Sequence, residues 1–161
     1  MELSFDRIYK EISNEEGIRL KVYLDTVKIP TVGIGHNILA HSTMPIIGRV
    51  VSKVGEVISD DECRTLFKAD LTSVFNDLDN HIDWWRTVDV PRQYVLISLC
   101  FNLGINGLLG FKNTLAHYKA HEWDSVVSGL QSSKWYKQVG VRGVKLCKII
   151  STGHFPDGKL S

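Results

Sequence analysis

The stretch that most constrains this chain runs from Asn14 to Asn37, NEEGIRLKVYLDTVKIPTVGIGHN, because its pattern changes twice within a few residues. Glu16 stands before Gly17, the residue type that suits the end of a helix. Val22-Tyr23-Leu24 is a β-branched and aromatic run with Asp25 at its far end, and Thr31 to Gly35 reads as a second strand running back. The resulting hairpin sets Asp25 and Thr31 on either side of one loop, facing the helix end that carries Glu16. Two carboxylates with a hydroxyl beside one of them suit glycoside hydrolysis. One acid protonates the leaving oxygen, and the other carboxylate activates water or stabilises positive charge at the sugar carbon. Spacing alone suits solvated turn charges at least as well, since Asp and Glu are common in surface turns.

The flanking sequence supplies helices. Phe5, Ile8, Tyr9 and Ile12 fall at helical spacing, so a first helix over 4–12 ends near Glu16 and carries a core-facing stripe. Pro45, Gly48 and Gly55 break up residues 41–55 into loops and a short helix, with a third strand expected at Glu56-Val57-Ile58. Ser59-Asp60-Asp61-Glu62 is a capping box, and its acids favour the helix N-terminus. Apolar residues then recur from Cys63 through Leu78, giving a helix of about five turns. Pro91 opens a helix whose Tyr94 to Leu103 segment is apolar almost all round, the mark of a buried centre. Trp123 to Leu130, Lys134 to Gln138 and Val141 to Ile150 read as three more helices. Trp84-Trp85 suits an anchor in the helical part better than a sugar platform.

Composition narrows the function. The chain has 161 residues, 43% hydrophobic and 23% charged, with a net charge of +1 and a pI near 7.8. That describes a globular protein with a core and no electrostatic reason to bind nucleic acid or an anionic membrane. The three cysteines, Cys63, Cys100 and Cys147, are odd in number and widely spaced in apolar helical contexts, which reads as buried free thiols. Neither a leader peptide nor an 18-residue apolar run is evident, so delivery to any target outside the cell is expected to depend on another factor. Gly33 and Gly35 do not make a nucleotide loop, because Ile38 stands where the third glycine of that motif belongs. His117 and His121 lie four apart, expected on one helix, but lack the partner of a zinc motif, so a solvated face is expected and no metal or other cofactor.

The residues Glu16, Asp25 and Thr31, followed by VGIGH, resemble the signature of the T-even phage lysozymes, glycoside hydrolase family 24. The likeness continues through ISDDECRTLF (58–67), LISLCFNLGINGLLGFKNTL (96–115), EWDSVVSGLQSSKWYKQ (122–138) and STGHF (151–155). The resemblance implies an α+β, mainly α, lysozyme-like fold of two lobes, with a small hairpin sheet and a long helix between the lobes. The chain would be one lysozyme domain, with a small lobe over 13–59, a connecting helix over 60–80, and a helical lobe over 81–161 that also takes the first helix. It implies a muramidase that cuts the β-1,4 bond between N-acetylmuramic acid and N-acetylglucosamine in peptidoglycan. Glu16 would be the general acid, Asp25 and Thr31 would hold the water, and inversion at the anomeric carbon would follow. Asn37, Phe101 and Thr114 would line the sugar-binding site, and Arg142 would approach Glu16 and steady its charged form. Peptidoglycan strands would be the partner of a monomer that stays in the host cytoplasm until released to the periplasm and cell wall for lysis. A secreted antibacterial effector or a silent peptidoglycan-binding module would keep the same fold. His36 and Asp70 stand at positions that pair in relatives, against the alternative of an unpaired, exposed histidine. The loop Val27-Lys28-Ile29-Pro30 departs from the family in having no glycine, with Pro30 expected to adjust the spacing of Asp25 and Thr31.

Overall fold

The computed structural model describes residues 2–161, which are mainly helical with one small antiparallel sheet. In chain order the elements are α1 (Phe5–Glu16), β1 (Arg19–Leu24), β2 (Pro30–Gly33), β3 (His36–Asn37), α2 (Met44–Ile47), α3 (Asp60–His81), α4 (Val90–Leu109), α5 (Lys112–Lys119), α6 (Trp123–Gln131), α7 (Lys134–Val139) and α8 (Val141–Thr152). They form two compact units. One is Ile8–Ser73; the other is Val74–Ser161 with the N-terminal residues up to Arg7. The dividing lines fall within α1 and α3.

In the sheet unit the strands are ordered β1-β2-β3, all antiparallel. The third strand is His36–Asn37, not the expected Glu56–Ile58 segment. That segment instead lies along the outer side of β1, where Ile58 N–H donates to Leu20 O (2.8 Å), Val22 N–H to Glu56 O (2.9 Å), and Lys21 and Val57 form an isolated bridge. Its pairing fills an irregularity in β1, whose register with β2 shifts between Arg19 and Tyr23. A turn through Ile34 and Gly35 joins β2 to β3, with Gly33 and Gly35 at positive φ (70° and 66°). A side chain on Gly33 would meet Cys63 Sγ of α3 at 3.2 Å, so both backbone conformation and close packing call for glycine there. The core beneath the sheet is Ile8 and Ile12 from α1, Val22 and Val32 from the strands, and Leu66 and Phe67 from α3. Tyr9 meets Phe67 edge-on (centroids 5.5 Å apart).

The N-terminus of α3 is fixed as its sequence requires. Ser59 Oγ accepts from Glu62 N–H (3.1 Å), and Glu62 Oε1 accepts from Ser59 N–H (2.9 Å). Arg49 adds two bonds of 2.7 Å to the same carboxylate. The Arg49 bond, then the Ser59 N–H, hold the Glu62 carboxyl down to about 2.

The helical unit is built around α4, where Tyr94 to Cys100 are all buried. The helix does not run straight to Leu109: Gly104 takes φ 72°, ψ 164°, a region reserved for glycine, and re-aims the last turns. Trp85 is buried as an anchor, its indole N–H donating to Asp79 Oδ1 (2.7 Å) and its ring stacked on Phe75. Trp135 is likewise buried and donates to Asn102 Oδ1 (2.9 Å). The expectation that His117 and His121 share a helix is not met. Helix α5 ends at Lys119, and His121 sits in the following turn with φ 59°, stacked on Trp123, while His117 Nδ1 lies 3.0 Å from Glu122. The turn at Ala120 and His121 takes the second ring off the helical register. Cys63, Cys100 and Cys147 are buried free thiols. No single helix among the described residues is long and apolar enough to cross a membrane.

Candidate active site

The hairpin after β1 is organised by one side chain. Asp25 Oδ1 accepts from the backbone N–H of Val27 (2.9 Å) and of Ile29 (2.8 Å), while Asp25 O accepts from Lys28 N–H (2.9 Å). A turn closed in this way and followed by a left-handed residue usually carries glycine at that position. Here Lys28 adopts it, with φ 64°. Pro30 therefore does not replace the missing glycine: it opens β2, opposite Leu24, and the conformational load falls on lysine. Asp25 keeps Oδ2 without a hydrogen bond among the described residues, so one carboxylate oxygen builds the loop and the other stays uncommitted.

Thr31 is tied to the same loop. Its hydroxyl donates to Ile29 O (2.8 Å), the carbonyl that also accepts Asp25 N–H (3.0 Å). With its proton committed, the Thr31 oxygen offers lone pairs only. Ile29 thus links Asp25 and Thr31 through its own peptide groups, fixing the hydroxyl relative to the carboxylate with backbone rather than side-chain contacts.

Glu16 is the last residue of α1, where Gly17 takes φ 78° and donates to Ser13 O (2.8 Å). Its carboxylate lies over the β2–β3 turn: a Cβ built on Gly35 would stand 3.9 Å from Glu16 Oε2. The helix end and the sheet are therefore in register through Gly35. Tyr23 ties the three residues together. It is the direct cross-strand partner of Thr31 and stands two residues before Asp25, whose N–H continues the ladder, so all three share one side of the hairpin. Burial pushes the Tyr23 hydroxyl above its ordinary pKa; Arg19 opposes this, while the charges of Glu16 and Asp25 both reinforce it. In the sequence Tyr23 reads as a plain strand residue, although its two-residue offset from Asp25 places it on this side.

The other expected residues are set as follows. Asn37 pairs with Thr31 across β2 and β3, and its Oδ1 accepts Ala40 N–H (3.0 Å). His36, beside it, is 1% exposed, with Nδ1 2.8 Å from Asp70 Oδ2 and Nε2 2.9 Å from His41 O. In the helical unit, Phe101 is half-buried on α4 and Thr114 is buried on α5 with its hydroxyl against Gly129. Arg142 on α8 donates to Ser98 Oγ (3.0 Å) and Ser98 O (3.3 Å) of α4. No group of three or more His, Cys, Asp or Glu side chains that could hold a metal occurs among the described residues.

A family model described as phage lysozyme matches residues 13–148. The chain is 34% identical over 156 residues to the pre-baseplate central spike protein Gp5 of Enterobacteria phage T4, a match covering 89% of this chain but only 27% of that protein's length. It is 28% identical over 153 residues to the probable T4-type lysozyme 1 of Dictyostelium discoideum, covering 86% of this chain and 90% of that one. With the endolysin of Salmonella phage P22 it shares 34% identity over 111 residues, 68% of each chain.

Proposed function

Since this chain belongs to the phage lysozyme family, we propose that it is a muramidase, cleaving the β-1,4 bond between N-acetylmuramic acid and N-acetylglucosamine in peptidoglycan. The observation that carries the reading is the arrangement of Asp25 and Thr31 about Ile29, with Glu16 over Gly35. Glu16 donates its proton to the glycosidic oxygen as the bond to the anomeric carbon breaks. A water hydrogen-bonds to the Thr31 oxygen, which has only lone pairs to offer, and to Asp25 Oδ2, which the loop leaves uncommitted. Held by both hydrogens, that water turns an oxygen lone pair toward the anomeric carbon, and Asp25 takes its proton as the new bond forms. Attack opposite the leaving group inverts the configuration, so the α anomer is the first product. Proton NMR of fresh product reads this directly, and a β-first product would mean that Asp25 attacks the carbon itself.

The enzyme would act in host-cell lysis as a monomer, made in the host cytoplasm and reaching the cell wall with the help of another factor. The test is clearing of outer-membrane-stripped Gram-negative cells. Glu16→Gln keeps size and removes the transferable proton, and loss of acid catalysis costs roughly 10²-fold or more in rate. Asp61→Asn, on the exposed side of α3, is the control expected to clear at the parent rate. Clearing by Glu16→Gln at the parent rate would refute the assignment of the acid. A second reading keeps the chemistry and changes its setting. The 34% identity to a spike protein over 89% of this chain favours a lysozyme carried with a baseplate spike. Purified particles probed for this chain separate the two, since a lysis enzyme stays in the soluble lysate.

A further inference from the structure

Resting on the glycan-cleaving reading of this site, we propose that Tyr23 is a substrate-binding residue: its hydroxyl, held in place by Arg19, donates a hydrogen bond to the glycan beside the scissile bond. Four observations meet at this side chain. It shares one side of the hairpin with Asp25 and Thr31. Its ring is clamped by the Arg19 guanidinium, whose carbon sits 3.8 Å from the ring centroid. That stacking covers one face of the ring and fixes the direction of the C–O bond, a pose that costs little entropy to hold when a ligand arrives. The residue is half-buried, and its hydroxyl makes no hydrogen bond among the described residues. Finally, a phenol hydroxyl is protonated near neutral pH, and burial, with Glu16 and Asp25 reinforcing it against Arg19, pushes its pKa further up, so it offers a donor.

Such a donor has a chemical counterpart in the ligand. Each N-acetylated sugar presents hydroxyl, ring and acetamido oxygens that accept hydrogen bonds, whereas Glu16 and Asp25, when ionised, only accept. With the Glu16 proton committed to the glycosidic oxygen, and Asp25 and the Thr31 lone pairs only accepting, the site lacks a further donor for the hydroxyl and acetamido oxygens, and Tyr23 supplies it. Arg19 is a positioning residue, acting through the ring. The irregularity in β1 lies between the two stacked residues: Arg19 and Tyr23 pair with Gly33 and Thr31 of β2, while Leu20 to Val22 between them bond to residues 55–58.

The test uses the whole chain and soluble peptidoglycan glycan oligomers, with KM and kcat measured separately. The parent and Glu16→Gln are assayed first, because an active Glu16→Gln overturns both the active-site reading and this inference. Given an inactive Glu16→Gln, Tyr23→Phe should raise KM about 3- to 10-fold, the scale of one neutral hydrogen bond, while kcat stays within about twofold. Arg19→Gln should raise KM less, and should add nothing in the Tyr23→Phe background, because its effect passes through the hydroxyl. Should Tyr23→Phe lower the melting temperature, glycan binding to Glu16→Gln with and without Tyr23→Phe, by calorimetric titration, gives the same comparison without turnover. An unchanged KM and unchanged binding in Tyr23→Phe, or full additivity with Arg19→Gln, would overturn the inference and leave the muramidase reading standing.

Discussion

Replacing His36 by asparagine should destabilise the protein much more at pH 5.5 than at pH 9. The ring is buried between two acceptors, the Asp70 carboxylate at 2.8 Å and the His41 carbonyl at 2.9 Å, and neither can donate. Only an imidazolium, with an N–H on both nitrogens, satisfies both at once. Burial pushes the His36 pKa down, but the Asp70 hydrogen bond, the Asp70 charge and the His41 carbonyl outweigh it, and the net shift is upward. A raised folded-state value means that the stabilisation is fully present below the unfolded histidine value of about 6.5 and is lost as pH rises through the folded value. A hydrogen bond to a charged group contributes about 1.5–3 kcal/mol, and for a chain of this size each kcal/mol moves the melting temperature by about 2–4 °C. His36→Asn is too short to span both acceptors, so a drop of roughly 4–8 °C is expected at pH 5.5. At pH 9 the neutral parent ring has already lost one of its two donors, and the drop should be about half as large. Thermal melts followed by circular dichroism across that range read the difference. An equal drop at both pH values would refute the charged-pair argument.

Three other perturbations test particular conformations. Gly104→Ala forces a β-carbon into φ 72°, ψ 164°, at a cost of about 1–3 kcal/mol, and a melting temperature lower by roughly 5 °C would show it. Lys28→Gly should do the reverse, because relief of a left-handed lysine worth about 1–2 kcal/mol outweighs the backbone entropy that glycine adds, for a net gain of about 0.5 kcal/mol; a lower chemical-denaturation midpoint would contradict it. Burial, helped at Cys100 by Asp77, pushes the Cys100 thiol up to about 12 and the Cys147 thiol up to about 11, and burial also raises Cys63. Ellman's reagent at pH 8 should therefore find no fast-reacting thiol in the native protein and all three after denaturation, whereas a rapid native reaction would contradict the burial of these side chains.

Features that depend on neighbours in the chain were legible in the sequence. The capping box at Ser59 and Glu62, the glycine closing α1, the two opening strands of the hairpin and the all-apolar stretch of α4 each rest on contacts or conformations within a few residues, and the structure has them. The resemblance added the pairing of His36 with Asp70, which no local pattern encodes because the partners are 34 residues apart. Tertiary structure decided what the local code leaves degenerate. A two-residue strand has too little alternation to be read, and Glu56–Ile58 is the better strand by composition, so only the neighbours competing for each edge determined that His36–Asn37 joins the sheet and Glu56–Ile58 lies along β1. The hairpin loop has no glycine, and Pro30 is the residue that its sequence singles out, yet it is Lys28 that turns left-handed, supported by the two N–H groups gathered by Asp25. The side of the sheet on which Tyr23 stands was implicit in its offset from Asp25. That this side also receives the Glu16 carboxylate followed only once α1 and the strands were packed, because directions along an element are local while packing decides what meets across elements.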